Sequence, residues 1–526
     1  MKNFWKKYHK WVGLFFSFFI LMFCFSGIVL NHRTLFSKAE VSRNWMPESY
    51  HYKNWNNGII KGTLRLPDGK ILAYGNAGVW KTDSCFATFA DFNRGLAEGI
   101  DNRKISNIVR VANNDIWCAG LYSIYLLNHD SWKEYPIAGN DERISDITQR
   151  GDTLVILTRS YLYTSVSPYD EFRKTELKTP ENYSPKTSLF RTIWLLHSGE
   201  LFGTPGKLAV DFLGVVLIVL SATGIIYTLL PPFIRRRHRK RLPVKTQAKA
   251  LKTSLNWHNK LGTWLIGLTL LLSVTGMCLR PPLMIPFVLV NTRPVPGSTL
   301  DSDNPWHDKL RSIRWDASRN VWLLSSSMGF YRINDLQLPP VKLKQTPPVS
   351  PMGVNVFHPQ SPDEWLIGSF SGLFVWNPST GTVLDYYTGQ PPAAVHGRPL
   401  GGSLVNGFTD DLVTREVIFE YDNGARNKEN NLVLPAMPDL IKQQPMSLWN
   451  FCLELHVGRC YSPFLGVFSD LFVFISGLLL TLILISGYIV YKRHHKRRKK
   501  IMDYIIILIE DALMHPYFFS YIPPKS

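Results

Sequence analysis

Recognisable nucleotide fingerprints are missing from these 526 residues. No GxGxxG follows a strand pattern and no Walker-type phosphate loop occurs, which excludes NAD, FAD and ATP held by a recognisable loop. Cysteine is scarce, six in all, and none falls in a CxxC, a CxxCH or a zinc spacing. Covalent c-type haem and structural zinc are excluded with them. Acidic side chains are also short, 40 against 59 basic ones, for a formal charge of +19. On a soluble domain that excess would suggest nucleic acid. Here it is concentrated in Lys2, Lys6, Lys7 and Lys10, in Arg235 to Arg241, and in Lys492 to Lys500, so no nucleic-acid partner follows.

Those basic clusters flank long uncharged runs. Trp11–Leu30, Phe212–Leu230, Leu261–Leu279 and Leu471–Tyr491 contain no charged residue, and about twenty apolar residues span a bilayer core. Four transmembrane helices are expected. The first exceeds a signal-peptide h-region and no small-x-small cleavage site precedes Asn31. The positive-inside rule places both termini in the cytoplasm and the large loops outside, in the periplasm of a multi-pass protein of the bacterial inner membrane. The basic clusters read as topology and lipid-headgroup signals, making membrane lipid the first partner.

The expected divisions are a first transmembrane helix with cytoplasmic N-terminus at 1–32, an external β-repeat region at 33–196, a second helix at 197–234, and a basic cytoplasmic loop at 235–256. A third helix at 257–282, a second external β-repeat region at 283–450, a fourth helix at 451–491 and a basic tail at 492–526 complete the chain. Within the tail, Tyr504–Ile509 is too short to span and reads as interfacial. No cytoplasmic segment is large enough to signal by itself.

The two halves repeat each other. His9 and His258 are each followed by Gly at +4 and by Ser/Thr-Gly at +17 and +18, offsets of one and five helical turns, so each histidine shares a face with glycines that admit a bulky planar group. His197-Ser198-Gly199 and His456-Val457-Gly458 precede the second and fourth runs, which end in Thr223-Gly224 and Ser486-Gly487. A lone histidine at a membrane boundary is usually interfacial. Four in duplicate register are the pattern of axial ligands, since opposed neutral imidazoles saturate a haem iron for electron transfer. A pseudo-twofold axis would pair His9 with His258 at the inner ends and His197 with His456 at the outer ends. His32 has no duplicate and stands 23 positions from His9, about 35 Å of helix, too far to share a haem with it. It is a candidate for the outer haem, for proton transfer or for the substrate site. Arg33 and Arg280 are candidates for haem propionates.

The external segments repeat a polar turn, an aromatic-aliphatic strand, a glycine turn and a second strand. Examples are Asn114–Tyr122, Arg319–Tyr331 and Asp363–Trp376, with weaker copies from Gly69 and Gly151. A period of about 39 residues, from Ile108 to Ile147, suits blades of a β-propeller split between the two segments. A β-sandwich is the alternative. Cys85, Cys118, Cys452 and Cys460 fall on the oxidising side, and a Cys452–Cys460 disulfide would fix the loop of His456. Cys24 and Cys278 read as packing residues within the membrane.

His9 with Trp11 and Gly13, Ser26-Gly27, Asn31-His32 and the two His-x-Gly elements resemble the PepSY-associated transmembrane family of bacterial inner-membrane proteins. The resemblance covers the four helices and their flanks and implies iron uptake, with two-haem reduction of ferric siderophores. No PepSY domain is evident in the external loops. Together these readings describe an internally duplicated, four-helix α-helical membrane protein with an external all-β domain. Two b-type haems ligated by His9, His258, His197 and His456 would carry electrons from quinol or a cytoplasmic flavoprotein to a ferric chelate. The alternative is a non-enzymatic receptor or sensor whose external domain binds a ligand.

Overall fold

A computed structural model describes residues 2–137, 139, 142–392 and 403–514. The chain forms two units, one of Met1–Asn31, Thr187–Thr292 and Leu453–Ser526, the other of His32–Lys186 and Arg293–Cys452.

The first unit is helical. Its long helices are Lys2–Asn31, Gly203–Arg239 and Ser469–Met514. Phe16, Ile20, Cys24, Val216, Leu217, Leu220, Ile483 and Leu484 form its buried core, while Phe15 and Phe18 face outward, as lipid-facing side chains do. Cys24 packs as expected. Three helices are long and apolar enough to cross a membrane, or four if a bent pair counts as one span. That pair corrects the expected third helix: Lys245–Trp264 and Ile266–Met277 meet at 70°. Gly262 and Gly267 remove side-chain support on both sides of the break, and the Thr263 hydroxyl bonds back to the Asn259 carbonyl at 2.7 Å, a contact that bends helices. The interfacial segment expected at Tyr504–Ile509 continues the Ser469–Met514 helix, and the tail beyond Met514 lies outside the described residues.

The second unit is all-β. Five four-stranded sheets and one three-stranded sheet each run antiparallel in strict chain order. Three come from the first external segment and three from the second. The anticipated hairpins are present: Ile71–Gly75 pairs with Gly78–Thr82, Ile116–Ala119 with Ile124–Asn128, and Thr153–Thr158 with Leu162–Val166. Val321–Ser326 likewise pairs with Gly329–Ile333, and Trp365–Ser369 with Gly372–Trp376. Such strands show no polar alternation because both their faces are covered; Ile71–Gly75 is buried throughout. At Gly78, φ is +108° and a Cβ would sit 1.9 Å from Asn93 Oδ1, so glycine alone fits this turn.

Buried cores join consecutive sheets. Leu72 packs with Ile108 and Cys118, Trp117 with Ile147 and Tyr163, Leu157 with Ile313 and Trp322, and Phe330 with Ile367 and Trp376. Leu366 and Leu373 pack with Val405 and Ile418, and Trp80 and Ile71 pack with Val417 and Phe419. The last sheet thus shares a core with the first. That last sheet, Val405–Leu412, Arg415–Glu420 and Gly424–Arg426, is absent from the sequence reading.

Candidate functional site

Four Ser/Thr-Gly pairs, three on the long helices and Thr275-Gly276 on Ile266–Met277, each receive one of the four duplicated histidines. His9 Nδ1 lies 3.0 Å from the Ile483 carbonyl and 3.2 Å from Ser486 Oγ. His258 Nδ1 lies 3.1 Å from the Leu220 carbonyl and 3.0 Å from Thr223 Oγ1. His197 Nδ1 is 3.1 Å from both the Leu272 carbonyl and Thr275 Oγ1. His456 Nδ1 is 2.8 Å from Ser26 Oγ and bonds the Phe23 carbonyl. In every case the carbonyl belongs to the residue three positions before the Ser or Thr.

This network assigns the tautomers. Each hydroxyl donates its own proton within its helix, as from Thr223 to the Val219 carbonyl at 2.6 Å and from Ser486 to the Ile483 carbonyl at 2.8 Å. The hydroxyl oxygen and the carbonyl therefore both accept, and Nδ1 carries the hydrogen. Nε2 is left with its lone pair, the form in which imidazole ligates a metal.

The glycine after each Ser or Thr makes the seat. A Cβ there would meet His9 Cε1 at 2.7 Å from Gly487, His197 Cε1 at 2.9 Å from Gly276, His456 Cε1 at 3.4 Å from Gly27 and His258 Cε1 at 3.5 Å from Gly224. This corrects one expectation. The +18 glycines admit an imidazole from another helix, not a planar cofactor, because the seat lies on a neighbouring helix. The +4 glycines, Gly13 and Gly262, face Ile483 and Leu220 at 3.9 and 3.6 Å and serve helix packing.

The seated histidines come together in two pairs. The His9 and His258 rings lie 5.9 Å apart at 69°, and the His197 and His456 rings 6.4 Å apart at 58°. A metal bound to two imidazoles at about 2 Å each separates the ring centroids by about 6 Å, so neutral, Nε2-presenting pairs at these spacings fit bis-histidine ligation. Among the described residues no cluster of three or more His, Cys, Asp or Glu forms a metal site. His32 falls in the β unit.

Helix ends hold the second pair. Ser188 caps Leu189–Ser198 by accepting from the Arg191 N–H, and Gly199 ends it in the left-handed conformation at φ 82°. Leu448–His456 ends in the same way, with Gly458 at φ 78°. This accounts for the His-x-Gly spacing. The expected disulfide is not formed. All six cysteines are unpaired, and the loop after His456 is held by Arg459, which bonds Glu454 at 2.9 Å. Arg33 is committed within the β unit to Asp101, through two bonds of 2.7 and 2.9 Å, and lies over the Trp449 ring. Arg280 lies within electrostatic reach of His456.

The profile of the PepSY-associated TM region matches residues 1–230 and again 228–494, one match to each half of the duplication. No curated protein sequence matches this chain. Among solved structures, the extracellular domain of a hybrid two-component system from B. thetaiotaomicron is similar at 12% identity and a TM-score of 0.36, over 75% of this chain and 36% of that one. The extracellular domain of a one-component system from the same organism is similar at 11% identity and a TM-score of 0.32, over 71% and 40%. The chain spans well under half the length of either.

Proposed function

The chain belongs to the PepSY-associated TM family, and on that premise we propose that it is a di-haem electron carrier of the bacterial inner membrane. The single observation that supports this best is the pair of imidazole pairs, each ring pinned through Nδ1 and presenting Nε2. His9 and His258 would hold one haem b, and His197 and His456 the other. When bound, haem supplies a one-electron carrier at each pair. The chain's own part is to keep each imidazole neutral and aimed, so that two histidines at each pair would hold the group and leave no room for an exchangeable ligand.

With both termini cytoplasmic, electrons would enter from quinol or a cytoplasmic flavoprotein and leave to a periplasmic acceptor. The choice of a ferric siderophore or other ferric chelate, and of a role in iron uptake, rests on family resemblance. The six sheets, each sharing a core with the next and the last with the first, support a six-bladed β-propeller assembled from both external segments.

Purification in detergent from haem-replete cells, followed by pyridine haemochrome analysis, tests the carrier. Close to two non-covalent haems per chain are expected, with His9→Ala and His258→Ala removing or altering one haem and His197→Ala and His456→Ala the other. A colourless, folded preparation overturns the proposal and leaves a receptor whose external unit binds a ligand.

A further inference from the structure

The β unit contains a cavity whose charge the electron-transfer reading leaves unused. Lys61, Lys104, Arg143, Arg159, Arg311 and Arg314 line it, with Asp146 as the only acidic lining residue. They converge from four sheets: Lys61 precedes strand Gly62–Arg65, Lys104 precedes Asn107–Arg110, Arg143 precedes Ile144–Arg150, and Arg311 and Arg314 lie on Leu310–Asp316.

The neighbouring carboxylates are already engaged. Asp146 accepts from the Ile313 N–H at 3.1 Å and pairs with Arg314. Asp101 holds Arg33 and Lys104, and Asp308 holds Arg159 at 2.8 Å. Among the described residues, Lys61 Nζ and the Arg143 guanidinium have no hydrogen bond or ion pair. Lys61 is half-buried, and Arg143 is exposed and lines the cavity. Burial, reinforced by Arg143, Lys104 and Arg33, pushes the Lys61 ammonium down to about 7. Burial likewise brings Lys104 to about 8. Six cations around one cavity, with Lys61 and Arg143 unpaired, are the arrangement of a site that takes a counter-ion.

We propose that this cavity binds a small, multiply charged oxyanion, a polycarboxylate or a phosphate-bearing compound, between Lys61, Arg143, Arg311 and Asn355. Asn355 and the Ser106, Ser145 and Ser312 hydroxyls are the cavity's neutral polar groups; the cations set its preference for charge. The proposal rests on the β unit alone and stands or falls separately from haem.

Isothermal titration of the full chain in nanodiscs tests it, using citrate and pyrophosphate as probes and sorbitol as the neutral control. One-to-one binding of at least one oxyanion is expected, weakening as NaCl rises from about 50 to about 300 mM. Citrate alone would mark a polycarboxylate site and pyrophosphate alone a phosphate site. The double variant Lys61→Met/Arg143→Gln should weaken binding about tenfold or more, whereas Lys61→Arg should keep it. Without ligand, the double variant should melt no lower than the parent, because the repulsion of Lys61 and Arg143 by Lys104, Arg33 and Arg159 outweighs the attraction of Asp101 for Arg143. Absence of saturable binding to either probe, equal binding by the double variant, or a lowered melting temperature of that variant would each overturn the proposal.

Discussion

The four glycine seats hold their imidazoles at different distances, and single-residue changes should read that difference. Gly487→Ala and Gly276→Ala would bring a Cβ within 2.7 and 2.9 Å of the His9 and His197 rings, whereas the contacts at Gly27 and Gly224 would be 3.4 and 3.5 Å. Gly487→Ala should cost most of the haem at the His9–His258 pair and Gly276→Ala most of that at the His197–His456 pair, whereas the last two should leave haem largely in place, by pyridine haemochrome. Equal loss from all four would show that the seats do not govern ligation. Lys61 carries a second residue-scale prediction. Its pKa in the fold, about 7, lies below the ordinary lysine value of about 10.4, so the unfolded chain binds the extra proton between those values. Stability therefore rises with pH through that window, because the fold carries the charge penalty in full only below about 7. Melting curves from pH 7 to pH 9 should show a rise that Lys61→Met reduces; Lys104, brought to about 8 by burial, contributes in the same direction.

At the scale of elements, the sheets stand or fall by the cores between them. Trp376 is fully buried, its ring 5.0 Å from Phe330 and its indole N–H donating to the Gln345 carbonyl at 3.1 Å. Trp376→Ala should cost about 3–5 kcal/mol, seen as a lower melting temperature with the spectrum of the membrane unit unchanged. Five hairpins were legible because each carries an aromatic-aliphatic run and a glycine turn. The sixth was not: Val405–Leu412 has two register shifts against Arg415–Glu420 and carries Thr409, Asp410 and Asp411 within the strand, so hydrophobic alternation fails there. The third span was legible as an apolar run but not as a bent one, since hydropathy sums residues without regard to the direction in which the helix continues.

For the whole molecule, the proposal sets a direction. In nanodiscs, protein reduced with dithionite should be reoxidised by ferric siderophores, and His197→Ala or His456→Ala should abolish this while the other haem stays reducible. Stopped-flow absorbance checks it. Reoxidation of those variants at the parent rate would sink the ferric acceptor even with haem present, leaving a redox sensor or a carrier to another membrane protein.

Sequence by itself determined the membrane class, the basic flanks, the twofold repetition and the identity of the four histidines, because apolar length, charge and residue spacing are local properties of a chain. Even the pairing of His9 with His258 and of His197 with His456 followed from duplication, since a pseudo-twofold axis leaves few other choices. Only the tertiary structure decided which Ser/Thr-Gly pair seats which ring. His9 meets Ser486 across 477 positions and His456 meets Ser26 across 430, contacts that no periodicity encodes. The tautomers followed from those seats. The gathering of Lys61, Lys104, Arg143 and Arg314 at one cavity is likewise a product of packing, because each is an unremarkable surface cation until four sheets bring their first strands together.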